Sequence, residues 1–243
     1  MKNYITPFII ALAIVTGVLL LGNAYKYKFK ATETISVTGL AETNFVSDQI
    51  VWTGNYSRKT MDLKSAYAQL KDDENRIRKY LQGKGVSGAE MVFSAISIDK
   101  EFSNRYDENG RMTGSDFTGY NLKQNVTVDS KDIEKVEKIS REVTELIESG
   151  IEFNSSSPSY YYTKLSELKI DLLAKASADA KQRAETIAKN SGSSLGAIRK
   201  ANMGVFQITG QNSDEDYSYG GAFNTSSKNK TASITIKIDY AVR

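Results

Sequence analysis

The sequence contains no cysteine and no histidine, and only two prolines occur among its 243 residues. Without cysteine the chain cannot form disulfide bonds, use a catalytic thiolate or build most structural zinc sites. Without histidine it cannot contain an imidazole-based triad, an HExxH zinc site or a histidine phosphorelay. Carboxylate pairs, lysine, tyrosine or an oxygen-coordinated metal are the chemistries that remain for an enzyme.

The charge of the chain is nearly balanced. It carries 32 lysines and arginines against 29 aspartates and glutamates, which gives a formal net charge of +3. This small excess creates no strong positive field, so we expect no nucleic-acid partner. Roughly 210 residues follow the first apolar segment, enough for one large or two small domains with a true core.

The amino-terminal segment between Lys2 and Lys26 has no charged residue and is almost entirely apolar. At about 1.5 Å per residue it can cross a hydrocarbon layer of about 30 Å. Thr6 followed by Pro7 is a suitable helix start. The segment ends in alternating aromatic and basic residues, a pattern typical of a membrane interface: Tyr25, Lys26, Tyr27, Lys28, Phe29 and Lys30.

Two interpretations fit this segment. A cleaved signal peptide would use Gly22-Asn23-Ala24 as its cleavage site and release a periplasmic protein. The apolar run is longer than the 7 to 15 residues of an ordinary signal core, which favours a retained anchor. We therefore predict a single-pass protein of the inner (cytoplasmic) membrane, with its domain in the periplasm or another extracytoplasmic space. Residues 1–33 form the anchor or signal segment with a linker, and residues 34–243 form the domain.

Hydrophobic periodicity predicts an α+β domain. Its order is β-β-α-β-β-α-β-α-β-β, with a largely antiparallel sheet, helices packed on one side of it and one transmembrane helix before it. The first strand is predicted to stop at Gly39, and the first helix of the domain to begin at a Thr60 cap and end at Gly83. Asp73 and Glu74 interrupt the apolar stripe of that helix, which predicts that its middle is partly exposed.

A long hairpin is predicted around Asn109-Gly110, a pair typical of a two-residue type I′ turn. That turn pairs Phe102 with Phe117. Ile98 reaches Leu122, and Val92 reaches Val128, only if one extra residue forms a bulge near Gly119.

The second half of the chain predicts two more helices and three strands, of which a short one begins at Ile151 and Phe153, between the two helices. The first of these helices is capped by Asp129 or Ser130, and the second runs from Lys164 to about Asn190. Strands follow at Leu195–Ile208 and from Ala232 onward, and a mobile loop at about 210–230 separates them. The long helix carries a ridge of small residues that permits close packing within the protomer: Ala176, Ala180, Ala184 and Ala188.

Several short motifs in order along the domain resemble the SIMPL-domain family, the envelope group that includes the Brucella 26-kilodalton periplasmic antigen. They are Ile35-Ser36-Val37-Thr38-Gly39, Asp48-Gln49-Ile50, Gly85-Val86, Gly119-Tyr120, Val126-Thr127-Val128, the alanine-rich stretch Ala174 to Ala188, Ser191-Gly192 and Leu195-Gly196. The resemblance covers Thr34 to Arg243. It implies an exported protein without an established catalytic site and, because one family member forms a ring-like oligomer, self-association.

Four clusters could be read as sites, and each has a simpler structural explanation. Acidic residues near the hairpin tip could bind calcium, but they lack EF-hand spacing and suit a soluble turn. The segment Gly83–Gly88 follows a helix instead of preceding one, which is the wrong order for a phosphate loop. A second acidic run suits a solvated loop, and a run of three tyrosines could be an aromatic patch or part of the core. The hairpin-tip cluster is Asp99, Glu101, Asp107 and Glu108, the loop run is Asp214, Glu215 and Asp216, and the tyrosine run is Tyr160, Tyr161 and Tyr162.

We therefore predict no catalytic, cofactor-binding or metal-binding residues. The favoured function is that of a non-catalytic envelope protein that acts by assembly or interaction. Its predicted partners are the membrane, further copies of the chain and other envelope proteins. The alternative is a carboxylate-based hydrolase of envelope polymers, which needs two acidic residues from separate elements converging in a cleft.

Overall fold

The computed structural model describes the backbone of residues 5–30 and 33–243 and the side chains of residues 7–26 and 33–243. Helix α1 comprises Ile5–Lys30 and includes Thr6 and Pro7, so it starts before the predicted cap. Over Pro7–Lys26 it is long and apolar enough to cross a membrane, and none of that stretch is buried against the protein. It is an anchor or a signal helix. Lys2 and the side chains of the predicted fringe after Lys26 lie outside the described residues.

Ten strands and three more helices follow in the described chain. All the strand pairs between these elements are antiparallel, which with the amino-terminal helix confirms the α+β class. The strands are divided between two sheets. The elements are β1 (Thr34–Val46), β2 (Gln49–Thr60), α2 (Leu63–Gly83), β3 (Met91–Phe93), β4 (Ser97–Tyr106), β5 (Met112–Ser130), α3 (Ile133–Glu142), a 3-10 turn (Val143–Ser149), β6 (Phe153–Ser155), β7 (Ser159–Tyr161), α4 (Leu165–Asn190), β8 (Leu195–Met203), β9 (Gln207–Gly210) and β10 (Asn229–Val242).

The first sheet has β10 at its centre, with β1 along one edge and β8 and β9 along the other. Helix α4 packs on one face of this sheet and buries the predicted alanine ridge. The prediction that β1 stops at Gly39 is wrong, because the strand continues to Val46. Gly39 lies under α4, where a Cβ atom would be 2.1 Å from the backbone oxygen of Ala176.

The second sheet has β2 and β5 at its centre. Strands β3 and β4 pair with the outer edge of β5, and β6 and β7 pair with the outer edge of β2. Helices α2 and α3 enclose its core, whose largest fully buried side chains include Trp52, Ile77 and Leu122. The second sheet therefore has a core of its own, separate from that under α4.

The two helices that pack on the second sheet, α2 and α3, have N-cap residues other than the predicted ones. Asp62 caps α2 by accepting a hydrogen bond from the Ser65 amide at 2.7 Å, whereas Thr60 is still paired in β2. Asp132 caps α3 through the Lys135 amide at 3.1 Å, because β5 continues through Ser130. In each case strand pairing extends farther than the local pattern indicates.

The strand predicted over Leu195–Ile208 is split into β8 and β9. The register against β10 shifts by one residue between the pairs Met203–Ile236 and Gln207–Ser233. The three residues between the two strands absorb this shift.

The hairpin formed by β4 and β5 has the predicted register in its middle. Phe102 pairs with Phe117 and Ile98 with Leu122, and the ladder is irregular between them. Gly119 has a φ of 130° there, and a Cβ atom on it would be 2.7 Å from the Thr60 carbonyl oxygen. The predicted bulge near Gly119 is confirmed.

The ends of the hairpin differ from the prediction. The Gly110 amide donates to the Asp107 carbonyl oxygen at 3.0 Å, and the Asp107 amide donates to the Arg111 carbonyl oxygen at 2.9 Å. Gly110 has a φ of 74°. The loop is therefore a three-residue turn with a left-handed glycine instead of a two-residue type I′ turn. A second irregularity beside Arg105 compensates for the longer loop. Val92 pairs with Thr127, not with Val128.

The part of β5 that precedes Tyr120 does not pair with β2, because β2 ends at Thr60, which is opposite Tyr120. Residues 101–119 consequently form a two-stranded projection, which we call the β4–β5 arm.

Candidate functional site

The most charged part of the interior is a network between α2 and the second sheet. The Asp73 side chain is buried and accepts hydrogen bonds from two nitrogens of Arg58 on β2, one of them at 2.9 Å. The same guanidinium donates to the Gly150 carbonyl at 2.8 Å. Hydrogen bonding to Asp73 raises the pKa of Arg58, so this guanidinium stays charged.

Glu74 is also buried, but it points to the other side of the same turn. It accepts hydrogen bonds from Lys71 at 2.7 Å, Arg78 at 3.0 Å and the Gln124 amide at 3.2 Å. Burial favours its neutral form, yet these three hydrogen bonds outweigh burial and lower the pKa of Glu74. Gln124 in turn accepts a hydrogen bond from the Tyr56 hydroxyl at 2.6 Å.

The middle of α2 is therefore buried, and the prediction that Asp73 and Glu74 leave it partly exposed is wrong. Their carboxylates come from consecutive residues of one helix, and each is neutralised by basic side chains. This is not the pair of carboxylates from separate elements that the hydrolase hypothesis requires. The spacing of Lys71 and Arg78 from Glu74 gives no local signal for this burial, because i,i+3 and i,i+4 ion pairs are ordinary on exposed helix surfaces.

The acidic residues near the hairpin tip do not converge. Asp99 is paired with Lys123 at 3.4 Å, and Glu101 is bound by Lys59 and by the Asn121 amide. Asp107 accepts hydrogen bonds from two backbone amides of its own turn. Across the residues whose side chains are described, no group of three or more potential metal ligands is present.

The loop between β9 and β10 is held by the side chains of buried Gln207 and exposed Glu215. Gln207 donates to the Ser218 carbonyl at 2.7 Å and accepts from the amides of Ser218 at 3.2 Å and Ala222 at 2.7 Å. Glu215, from the predicted acidic run, accepts from the Gly210 amide at 2.9 Å and from Asn224. The acidic run therefore contributes hydrogen bonds within the loop through Glu215. The mobility of this loop stays a prediction.

Lys230 is the most deeply buried cation of this region, with 2% of its surface exposed. Its ammonium group donates to the Asn224 carbonyl oxygen. Burial disfavours the charged form and lowers the pKa of Lys230 to about 8, although nearby Glu215 acts in the opposite direction.

Open grooves lie along the first sheet in the described part of the chain, and two of them border predicted or exposed polar residues. One of approximately 660 Å³ runs between β1 and α4 and is lined by Thr38, Asp179 and Arg183 among others. Asp179 is not free there, since it accepts from the Leu40 amide at 2.8 Å and pairs with Arg183. The other, of approximately 470 Å³, lies beside the exposed loop residues Tyr217 and Tyr219.

The remaining candidate segments have structural roles. Tyr160 packs against the second core and donates to Glu137 at 2.9 Å, while Tyr162 packs against Phe45 with a ring separation of 4.9 Å. All three tyrosines are half-buried. Gly83–Gly88 contains the end of α2 and the turn after it, and Gly85 adopts a φ of 88°. Trp52 is fully buried in the core of the second sheet.

Comparison with known proteins places this architecture in a family. No curated protein matches the chain. Residues 35–242 match the model of SIMPL, which is described as a protein of unknown function (DUF541). This match covers both sheets and every helix after α1. The chain therefore belongs to the SIMPL family.

Proposed function

We propose that this protein is a membrane-tethered, extracytoplasmic envelope protein that acts by assembly and interaction, without a catalytic site of its own. In this proposal residues 1–33 are a retained inner-membrane anchor with a linker, and residues 34–243 are the SIMPL domain. Copies of the chain associate with one another and provide surfaces for other envelope proteins.

The observation that carries the proposal is the environment of α1. Its large apolar side chains are exposed, with values between 55% for Ile10 and 72% for Leu21. The domain covers none of the membrane-length stretch. Exposing so many apolar side chains to water is unfavourable, whereas a bilayer would solvate them. The length of the run supports retention over cleavage.

The paired state of the buried acids supports an interaction function over hydrolysis. Asp73 and Glu74 are held by Arg58, Lys71 and Arg78, so their charge stabilises α2 on the sheet. The β4–β5 arm also exposes large apolar side chains, namely Phe102, Tyr106 and Met112. Exposed apolar side chains that lie close together are typical of contact sites.

Two measurements test the proposal. Intact mass of the protein from membranes should show an uncleaved amino terminus, and external protease should digest the domain in spheroplasts. A mature protein that starts at Tyr25 would overturn retention, and a protected domain would overturn the orientation. Native mass of the detergent-extracted protein should exceed that of one chain; a monomer at all concentrations would overturn self-association.

A further inference from the structure

Strand β4 is a long and unprotected sheet edge. It has ten residues, and in the described part of the chain it pairs with β5 alone. Both irregularities of the hairpin insert their extra residue into β5, so β4 itself is regular. Its amides and carbonyls that face away from β5 can accept another strand, and β4 contains neither the proline nor the bulge that usually prevents this.

One face of β4 carries three large apolar side chains that alternate with the polar Lys100 and Asn104, and the other face is polar and largely charged. Ile98, Phe102 and Tyr106 share the face that continues the core under α2, and they are 54%, 56% and 62% exposed. Asp99 and Arg105 lie on the opposite face; both are exposed, and each already pairs with a residue of β5, Asp99 with Lys123 and Arg105 with Asp116. Phe102 is at the midpoint of both sets, because Ile98 and Tyr106 are four residues away from it and Asp99 and Arg105 three.

The strand is therefore complementary to itself about Phe102. If two copies of β4 pair antiparallel with Phe102 opposite Phe102, Ile98 of each faces Tyr106 of the other, and Asp99 of each faces Arg105 of the other. Directly opposite apolar pairs and opposite charges stabilise such a ladder. A two-fold axis through Phe102 makes every contact occur twice, as in an isologous dimer.

Neighbouring registers lose this match. A shift by two residues in one direction places Glu101 opposite Glu101 and Phe102 opposite Lys100. A shift in the other direction places Glu101 opposite Arg105, which is favourable, but it places Phe102 opposite Asn104 and Tyr106 opposite Lys100. Both shifts lose the apolar pairs Phe102–Phe102 and Ile98–Tyr106, and the first also places like charges directly opposite each other, so the apolar side chains of β4 select one register.

We propose that β4 is a self-association edge, at which a second copy of this chain adds its own β4 antiparallel and in the register centred on Phe102. This specifies the partner and surface of the self-association in the proposed function and rests on it. The two second sheets then join into one continuous sheet across the two-fold axis.

Cysteine cross-linking tests the register directly, because the chain has no cysteine of its own. In full-length protein in membranes, Phe102→Cys should form a disulfide-linked dimer under mild oxidation. Asn104→Cys and Lys100→Cys should each fail to form a disulfide when present alone. In the proposed register the two copies of residue 104, and likewise those of residue 100, are about 13 Å apart along the strands, beyond the reach of a disulfide. Membranes containing both of these variants should form the mixed dimer, since residues 100 and 104 are opposite each other.

Charge exchange gives an independent readout in detergent solution. Arg105→Asp should lower the association constant by roughly tenfold through two like-charge pairs, and Asp99→Arg should do the same. The double variant should recover association. Thermal unfolding of each variant shows whether its fold is intact.

The outcomes separate this proposal from the broader one. An oligomer by native mass without the Phe102→Cys cross-link, or with equal cross-linking of Asn104→Cys alone, overturns β4 pairing and leaves self-association standing. A strictly monomeric wild-type protein overturns both. Selective cross-linking together with rescue by charge exchange supports the register.

Discussion

Gly39 of β1 lies directly against Ala180 of α4, so close that a Cβ atom on Gly39 would be 2.7 Å from the Ala180 Cβ. The helix backbone is equally near, with the Ala180 nitrogen at 2.6 Å from the same position. Both side chains must be small for α4 to rest on the first sheet.

Gly39→Ala and Ala180→Leu should therefore each destabilise the protein by about 1 to 3 kcal/mol through overpacking. Thermal or urea unfolding measures the change. Gly88→Ala is the matched control, because nothing lies within 4 Å of a Cβ atom there. Unchanged stability in the Gly39 and Ala180 variants would show that the helix can move away from the sheet at little cost.

The Arg58–Asp73 pair should behave as a unit. Arg58→Met leaves the Asp73 carboxylate buried without its cation, at a cost on the order of 3 kcal/mol. The double variant Arg58→Met with Asp73→Leu should lose less than the sum of the single variants.

The exposed Arg76–Asp72 pair on the same helix is the control for that cycle. Arg76→Met should change stability by about 1 kcal/mol or less. Additive effects of Arg58 and Asp73 would contradict a coupled buried pair.

Lys230 should make stability depend on alkaline pH. Its native pKa of about 8 is below the unfolded value of about 10.4, so between these values the unfolded chain binds more protons and stability rises with pH. The cost of burying the charge is fully present below about pH 8. Wild-type stability relative to Lys230→Met should therefore increase from pH 7.5 to pH 10.5.

Lys237→Met, at an exposed position of β10, is the matched control for the loss of one lysine charge. A flat difference for Lys230→Met would mean that the native ammonium has an ordinary pKa.

Gln207 should control the order of the loop between β9 and β10. Gln207→Ala removes three hydrogen bonds to Ser218 and Ala222. Cleavage between residues 211 and 222 by a protease of broad specificity should become faster, while cleavage elsewhere stays unchanged. Gln211→Ala, at an exposed position, is the control. Equal cleavage rates in both variants would show that other contacts hold the loop.

The hydrophobic period of the sequence determined individual strands and helices and the faces that they bury. The alternation of Ile234, Ile236 and Ile238 predicted β10, and the alanine spacing predicted α4 and its buried face. The position of Gly119 in the hairpin followed from counting residues between two apolar runs. In these cases a period of two or of about 3.6 residues specifies which side chains share a face.

The tertiary structure decided which element covers each face. Gly39 resembles a strand end in sequence, but it is a strand interior because Ala176 and Ala180, some 140 residues later, require its missing side chain. Asp73 and Glu74 resemble a solvated stretch, but Arg58 and Gln124 on two other strands allow them to be buried. The period of a sequence identifies an apolar face, whereas the partner of that face is fixed only when distant segments meet. For that reason the α+β class could be predicted, while the division into two sheets and the buried charge network could not.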